Sequence, residues 1–555
     1  MSVTRKRLPR WLTLALLVLA LIVVGIFATV IGVGWYVKSQ MLDSGGRLAP
    51  SMEAYDVRHY ELAVKVDPAA QRIEGRSTVT VDAAARVDDF EIHLDDRLEV
   101  GAVRVDGVQR PFRHRRGVIR VELESPWARG ERHRVRIDYG GEPKVALRPP
   151  WIDGFVWSET PSGEPWIGVT GQGDGGDNWW PCKDHPSDEP DEGMDIALTV
   201  PSGLVGLSNG RRVGETDNGD GTTTSRWRVS YPINNYLVTV NIAPYVPIEE
   251  RYHGVDGSLD EVLTFWSLPE SVESARLMWR QMPRILEVLG RRFGEYPFFA
   301  DKFAVAHAPY YGMEHQTLVA YGALFTDNSY GFDELLLHEV AHEWWGNKIT
   351  VRDWADFWIQ EGFATYAEAL YVLDTLGEDQ YLDYLARQRP RIRNHEPLVR
   401  GEDLTSAEAY SGDIYFKGAW VLHTLRWLLG DEVFFEALYR FANDPEYAYG
   451  LVSSGDFIDL VQGLDSRDLG WFWRRYLYRA ELPAWRVSRT LEGALERVEV
   501  AWDDPAFELP LPLSVAGEPR RLEMPGGRAS FTVAPGTPVE IDPDGRVLAV
   551  SASHR

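Results

Sequence analysis

The sequence predicts an α+β multidomain protein. An N-terminal antiparallel β domain takes residues 51–246, an α/β domain residues 247–480 and a small C-terminal β-sandwich residues 481–555, with a cytosolic tail, one transmembrane anchor and a tether in residues 1–50. Three observations carry this reading. The chain has 555 residues, too many for one hydrophobic core. The apolar period changes twice along it, from two to about 3.6 and back to two. Near the N-terminus, Trp11 to Val37 run 27 residues without a charge.

That run is long enough to span a bilayer with some tilt and longer than the apolar core of a cleaved signal peptide. Trp35 and Tyr36 stand where an interfacial aromatic belt would lie. Arg5, Lys6, Arg7 and Arg10 precede it, and only Lys38 and Arg47 closely follow. The positive-inside rule then keeps the N-terminus cytosolic and puts the remaining chain on the extracytoplasmic side of the membrane.

From Tyr55 to Tyr245, alternating runs such as HYELAVKV, STVTVDA and HRVRIDY are separated by Gly, Pro and Asp turns, the pattern of antiparallel strands. Ser267 to Phe293 reads as one amphipathic helix, DKFAVAHAP as a strand, and the chain is then mainly helical to Arg479. RVSRTLEG, LERVEVAW, RASFTV and VEIDPDGRVL return to strand pattern in the last domain.

Composition narrows the function. With 58 basic and 83 acidic residues the net charge is −25, which argues against any nucleic-acid partner. One cysteine, Cys182, excludes an intramolecular disulfide. The chemistry concentrates in HEVAHEWWGN. His338 and His342 are four residues apart, so a helix puts both imidazoles on one face and within reach of one metal ion. Glu339 projects beside them and can touch a metal-bound water without being a ligand, the H-E-x-x-H arrangement. The surrounding Leu335, Leu336, Leu337, Val340, Trp344 and Trp345 predict a buried helix ending at Gly346, where histidine and glutamate need partners. Glu361, nineteen residues after His342 on a second helical run (Trp358 to Leu373), can supply a third ligand. Two histidines and one carboxylate leave an open position for water, as in catalytic zinc sites.

HEVAHEWWGN followed by WIQEGFATYAE resembles the gluzincin zinc aminopeptidases, the family of aminopeptidase N and leukotriene-A hydrolase. The resemblance covers roughly residues 55 to 550 and implies a thermolysin-like catalytic domain in residues 247–480, without the helical superhelix that follows in larger relatives. It implies one zinc ion per chain on His338, His342 and Glu361, with Glu339 as general base. YYGMEHQ resembles the family's G-x-M-E-N exopeptidase motif. That puts Gly312, Met313 and Glu314 against the substrate, with Glu314 on its free α-amino group, while Tyr311 and His315 replace the usual Gly and Asn. In TGQGDGGDNWWPCKDHP, Gln172 takes the place of a substrate-contacting glutamine, and Asp177 stands where relatives often carry Arg. IYFKGAWVL resembles the segment carrying the family's catalytic tyrosine, here Tyr415.

The expected function is a membrane-anchored zinc aminopeptidase acting on peptides with a free N-terminus. The alternatives are an endopeptidase or other zinc hydrolase of the same fold, and an inactive membrane-bound binding protein. Glu314 argues against the endopeptidase; the presence of His338, Glu339, His342, Glu361 and Tyr415 argues against the inactive form.

Overall fold

Leu62, Val64 and Val66 are buried while Glu61, Lys65 and Asp67 are exposed, so strand β1 (Tyr55–Asp67) lays one face on a core and the other in solvent. In the computed structural model, residues 43–552 and the isolated positions Gly25 and Gly32 are described. β1 pairs antiparallel with β2 (Arg72–Ala83), Tyr60 opposite Val79, and β2 antiparallel with β3 (Arg132–Gly141), Val79 opposite Val135. Strand β4 (Pro165–Thr170) belongs to a separate four-stranded sheet and leads into the Gly-rich loop. Strand β5 (Met194–Pro201) then returns to the first sheet and pairs with β1 in parallel, Tyr60 opposite Met194.

The sheet is mostly antiparallel, as expected, and the one parallel pair, β1 with β5, makes it mixed. Parallel neighbours need a long crossover. Here residues 142–193 provide it, and they carry Gln172. A local alternation of apolar residues is the same for both pairings, so the sequence pattern does not distinguish them.

A second, five-stranded sheet follows, in the order β6 (Val246–Tyr252), β7 (Glu261–Ser267), β8 (Phe303–His307), β10 (Leu318–Tyr321), β9 (Gly312–Met313). β7, β8 and β10 run parallel, and β9 is an antiparallel edge strand that ends one residue before Glu314. The single helix expected over Ser267–Phe293 is broken. A 3₁₀ turn at Pro269–Ser271 precedes α1 (Val272–Trp279), and α2 (Met282–Phe293) restarts after Arg280 and Gln281. Pro283 lacks an N–H and clashes with the preceding turn of a continuous helix, but it fits at the start of a new one.

Three later helices build the site: α3 (Glu334–Ala341), α4 (Trp358–Leu376) and α5 (Asp413–Leu429). α3 stops at Ala341, five residues before the expected Gly346. Tighter bonds from Glu343 N–H to the Val340 carbonyl and from Trp344 N–H to the Ala341 carbonyl carry the chain to Gly346, where φ is 130°. Trp344, Trp345, Trp354 and Trp358 are fully buried around these helices. The C-terminal strands form sheets of four and three strands, with Val498, Val500, Leu511 and Leu513 in their core. Cys182 is buried and unpaired.

No helix among the described residues is long and apolar enough to cross a membrane. The expected anchor, Trp11 to Val37, lies outside the described residues apart from Gly25 and Gly32.

Candidate active site

α3 starts where the Asp333 carboxylate accepts from the Leu336 N–H at 3.0 Å, capping the helix. Leu336, Leu337, Val340 and Ala341 bury three sides of it, so His338 and His342 share the remaining face. Each imidazole is oriented through Nδ1. His338 bonds the Glu368 carboxylate at 2.7 Å and His342 the Trp345 carbonyl at 2.8 Å. A carbonyl only accepts, so Nδ1 of His342 is the donor, and in the neutral ring Nε2 presents a lone pair. That Nε2 faces the Nε2 of His338 at 3.2 Å. Glu361, on α4, brings Oε2 to 3.5 Å and 3.4 Å from the two Nε2 atoms. This oxygen is buried and has no hydrogen-bond partner.

Two nitrogens and one orphaned oxygen within 4.8 Å of one another make a donor set suited to a small cation. Zinc fits it, with Glu368 and the Trp345 carbonyl as the outer groups that fix ring orientation. Glu368 was not singled out in the sequence. Its position seven residues after Glu361, two turns along the same helix face, was the available signal. Tyr384 and Gln388 hold its second oxygen.

Glu339 is buried beside the triad. Burial pushes its carboxyl up to about 8; His338 opposes that rise, and Glu314 adds to it. Glu361 behaves oppositely. Burial disfavours its charge, but His342 and His338 outweigh burial and hold it at about 2. Gly312 leaves the space that Glu339 occupies, since a Cβ there would lie 2.6 Å from Glu339 Oε1.

Glu314 sits at the far end of α3, where the Asn347 side chain donates to its backbone carbonyl at 2.9 Å. Gln172 crosses from the N-terminal β domain and donates to Glu314 Oε1 at 2.5 Å and Glu361 Oε1 at 3.1 Å. Burial raises the Glu314 carboxyl, with His342 opposing and Glu361 reinforcing the shift. Tyr415, on α5, stacks against His338 with ring centroids 6.0 Å apart. Its placement rests on a backbone contact between helices. A Cβ on Gly418 would lie 2.9 Å from the Cα of Gly362, the neighbour of Glu361.

All nine candidate residues, Gln172, Gly312, Met313, Glu314, His338, Glu339, His342, Glu361 and Tyr415, line one cavity of about 280 Å³. Trp151, Tyr410 and Phe416 line it too and had not been singled out. Of the departures, Tyr311 is half exposed at the rim. His315 is fully buried away from the lining, and burial pushes it down to about 3, so the ring is neutral and does not repel a substrate cation. Asp177 lies off the cavity in a buried acidic group with Asp184, Asp95 and Asp174. Burial raises its carboxyl well above the usual range, and those neighbours add to the rise.

Comparison with known proteins matches residues 57–237 to the peptidase M1 N-terminal domain and residues 281–476 to the peptidase family M1 domain. Among curated relatives, aminopeptidase B of Rattus norvegicus is 23% identical over 455 residues, which cover 74% of this chain and 66% of the relative. Aminopeptidase N of Streptomyces lividans is 28% identical over 234 residues, covering 39% of this chain and 27% of the relative. The chain thus spans about two thirds or less of these relatives. The solved M1 zinc metallopeptidase of Deinococcus radiodurans superposes with a TM-score of 0.66 at 25% identity, covering 80% of this chain and 97% of that one. A mutant of that enzyme, solved bound to a Tyr-Ser-Ala substrate, has a TM-score of 0.65 at 25% identity, over 79% of this chain and 96% of that one.

Proposed function

The chain belongs to peptidase family M1, whose chemistry is zinc-dependent peptide hydrolysis, and from that premise we propose that it is an aminopeptidase releasing single residues from peptides with a free N-terminus. One observation carries the exopeptidase reading: the buried Glu314 carboxylate, tied to Gln172, lies in the same cavity as the metal ligands. A substrate amine is cationic or close to its pKa of about 8, and a desolvated carboxylate pairs with it. That contact fixes how much of the peptide lies on the amine side of the scissile bond. The peptide-bound structure of the Deinococcus relative supports peptides as the substrate class.

His338, His342 and Glu361 would hold the zinc, which when bound would supply Lewis acidity for the hydrolysis. Glu339 takes a proton from that water and returns it to the leaving amine. Tyr415 donates its hydroxyl to the carbonyl oxygen as negative charge develops there. Glu314 and Gln172 orient the amine, and Gly312 keeps room for Glu339. Incubation with free-amine peptides should release N-terminal residues one at a time. A chelator should stop this and added zinc restore it. Internal cleavage of N-acetylated peptides at a similar rate would overturn the exopeptidase reading.

Tyr415→Phe keeps the ring against His338 and removes the donor, so kcat should fall about 100-fold with KM little changed. Gly418→Ala should lower kcat in the same direction by pushing α5 off α4, and cost about 1–3 kcal/mol of stability by overpacking. Steady-state kinetics and thermal unfolding of both variants test this. Unchanged kcat in Tyr415→Phe would remove the hydroxyl from the mechanism.

We also propose that Trp11 to Val37 anchors the enzyme in a membrane with the hydrolase on the extracytoplasmic side. Its length, its lack of charge and the four basic residues before it support this. The mature protein should keep its N-terminus, resist extraction by high salt and be digested by protease added from outside. A soluble form starting near residue 40 would refute the anchor.

A further inference from the structure

Among the described residues the cavity carries five glutamates, Glu314, Glu334, Glu339, Glu361 and Glu368, but Arg391 is its single Lys or Arg. Arg391 is exposed, and its guanidinium carbon lies 3.9 Å from the ring centroid of Phe416, which also lines the cavity. Among the described residues no ion pair within 4 Å holds this cation. Glu334 shares that part of the cavity and feels Arg391 electrostatically, but its carboxylate accepts from Asn328 at 3.3 Å and does not close on the arginine.

Position gives this cation a task. Glu314 is fixed near Asn347, past the His342 end of α3, whereas Glu334 opens the helix at its other end. Eight residues separate Glu334 from His342, roughly 12 Å along the axis at 1.5 Å per residue. An extended tripeptide spans about 10 Å at 3.3–3.6 Å per residue. A short peptide with its amine at Glu314 and its scissile carbonyl beside the histidines therefore reaches towards Glu334, which shares the lining with Arg391 and feels its charge. One end of the cavity is arranged for a cation and the other holds an unpaired cation, which matches the dipole of a zwitterionic peptide. The cation–π contact with Phe416 places the guanidinium, whose fork suits bidentate contact with a carboxylate.

We propose that Arg391 is a specificity-determining residue that binds a carboxylate on the leaving side of the substrate and thereby favours di- and tripeptides with a free C-terminus. The inference rests on the aminopeptidase reading. The test measures kcat/KM of the full chain for Leu-Gly-Gly, Leu-Gly-Gly-amide, Leu-Asp-Gly-amide and a leucyl arylamide, in wild type, Arg391→Ala and Arg391→Lys. Each peptide rate is divided by the arylamide rate of the same enzyme.

Wild type should favour the free tripeptide over its amide by roughly 10-fold or more, the scale of hydrogen bonds to a charged group. The preference should nearly vanish in Arg391→Ala, return in part in Arg391→Lys and weaken with added salt. The loss should lie mainly in KM, which a misfolded variant would not show selectively. A gain for Leu-Asp-Gly-amide that also depends on Arg391 would assign the carboxylate to an acidic side chain and still support the site. Equal rates for free and amidated tripeptides in wild type with no Arg391-dependent gain for Leu-Asp-Gly-amide, or a preference that survives in Arg391→Ala, would overturn it while leaving the aminopeptidase reading intact. Failure of wild type on every free-amine substrate, the arylamide included, would overturn both.

Discussion

Glu339→Gln should yield a protein that retains one zinc per chain and has lost nearly all turnover. The carboxylate is buried next to the ligand cluster, yet the three converging donor atoms come from His338, His342 and Glu361 alone. Replacing it by an amide of the same shape leaves those donors untouched and fits the space that Gly312 provides. What disappears is the group that accepts the water's proton and returns it to the amine. General acid–base groups contribute about 10²–10⁴-fold, and this one acts twice per turnover, so a fall in kcat of about 10⁴-fold is expected. KM should change little. His342→Ala should behave differently, losing zinc and activity together. Metal content by atomic spectroscopy, measured beside kcat, separates the two. A Glu339→Gln protein that turns over normally would show that another group takes the proton, and one without zinc would make Glu339 a ligand.

The site's centre was legible because its chemistry imposes spacing. Two ligands four apart on a helix and a third on the return helix can be read from His338, His342 and Glu361 without a structure. Family likeness then pointed to Glu314, Gln172 and Tyr415, three residues far apart in the chain that the fold brings into one cavity. What stayed hidden depends on contacts without a local pattern. Nothing near Gly418 announces that its partner is Gly362, because close backbone approach between two helices requires only the absence of a side chain on each. α3 ends at Ala341 where the bonds tighten at Glu343 and Trp344 and the Trp345 carbonyl accepts from His342, local contacts that residue propensity does not record. The parallel pairing of β1 and β5 depends on the crossover, which alternation does not record. Arg391 lies in a short 3₁₀ turn with no motif around it, and its placement beside the site comes from the packing of that turn against α5.

Glu314→Ala tests what separates an aminopeptidase from an endopeptidase. In the free enzyme the carboxylate is bonded to Gln172 and raised by burial, so removing it leaves an amide donor without its shorter partner and a cavity end without charge. A free-amine substrate then brings a cation into a desolvated corner that no longer neutralises it. The loss in kcat/KM should be about 2–4 kcal/mol, the scale of truncating one partner of a buried charge pair. An N-acetylated peptide has no such charge, and its acetyl group meets the Glu314 carboxylate only in the wild type. The variant should therefore lose selectivity as well as rate: the ratio of free to acetylated kcat/KM should collapse, because the numerator falls while the denominator does not. His315 does not mimic this effect, since its ring is buried and neutral. Gln172→Ala should show a milder form, as it removes the orientation of the carboxylate and leaves its charge. Matched free and acetylated peptides followed by mass spectrometry give both ratios. A Glu314→Ala enzyme that still rejects acetylated substrates as strongly as wild type would mean that the closed end of the cavity enforces N-terminal cleavage by shape, with no contribution from charge.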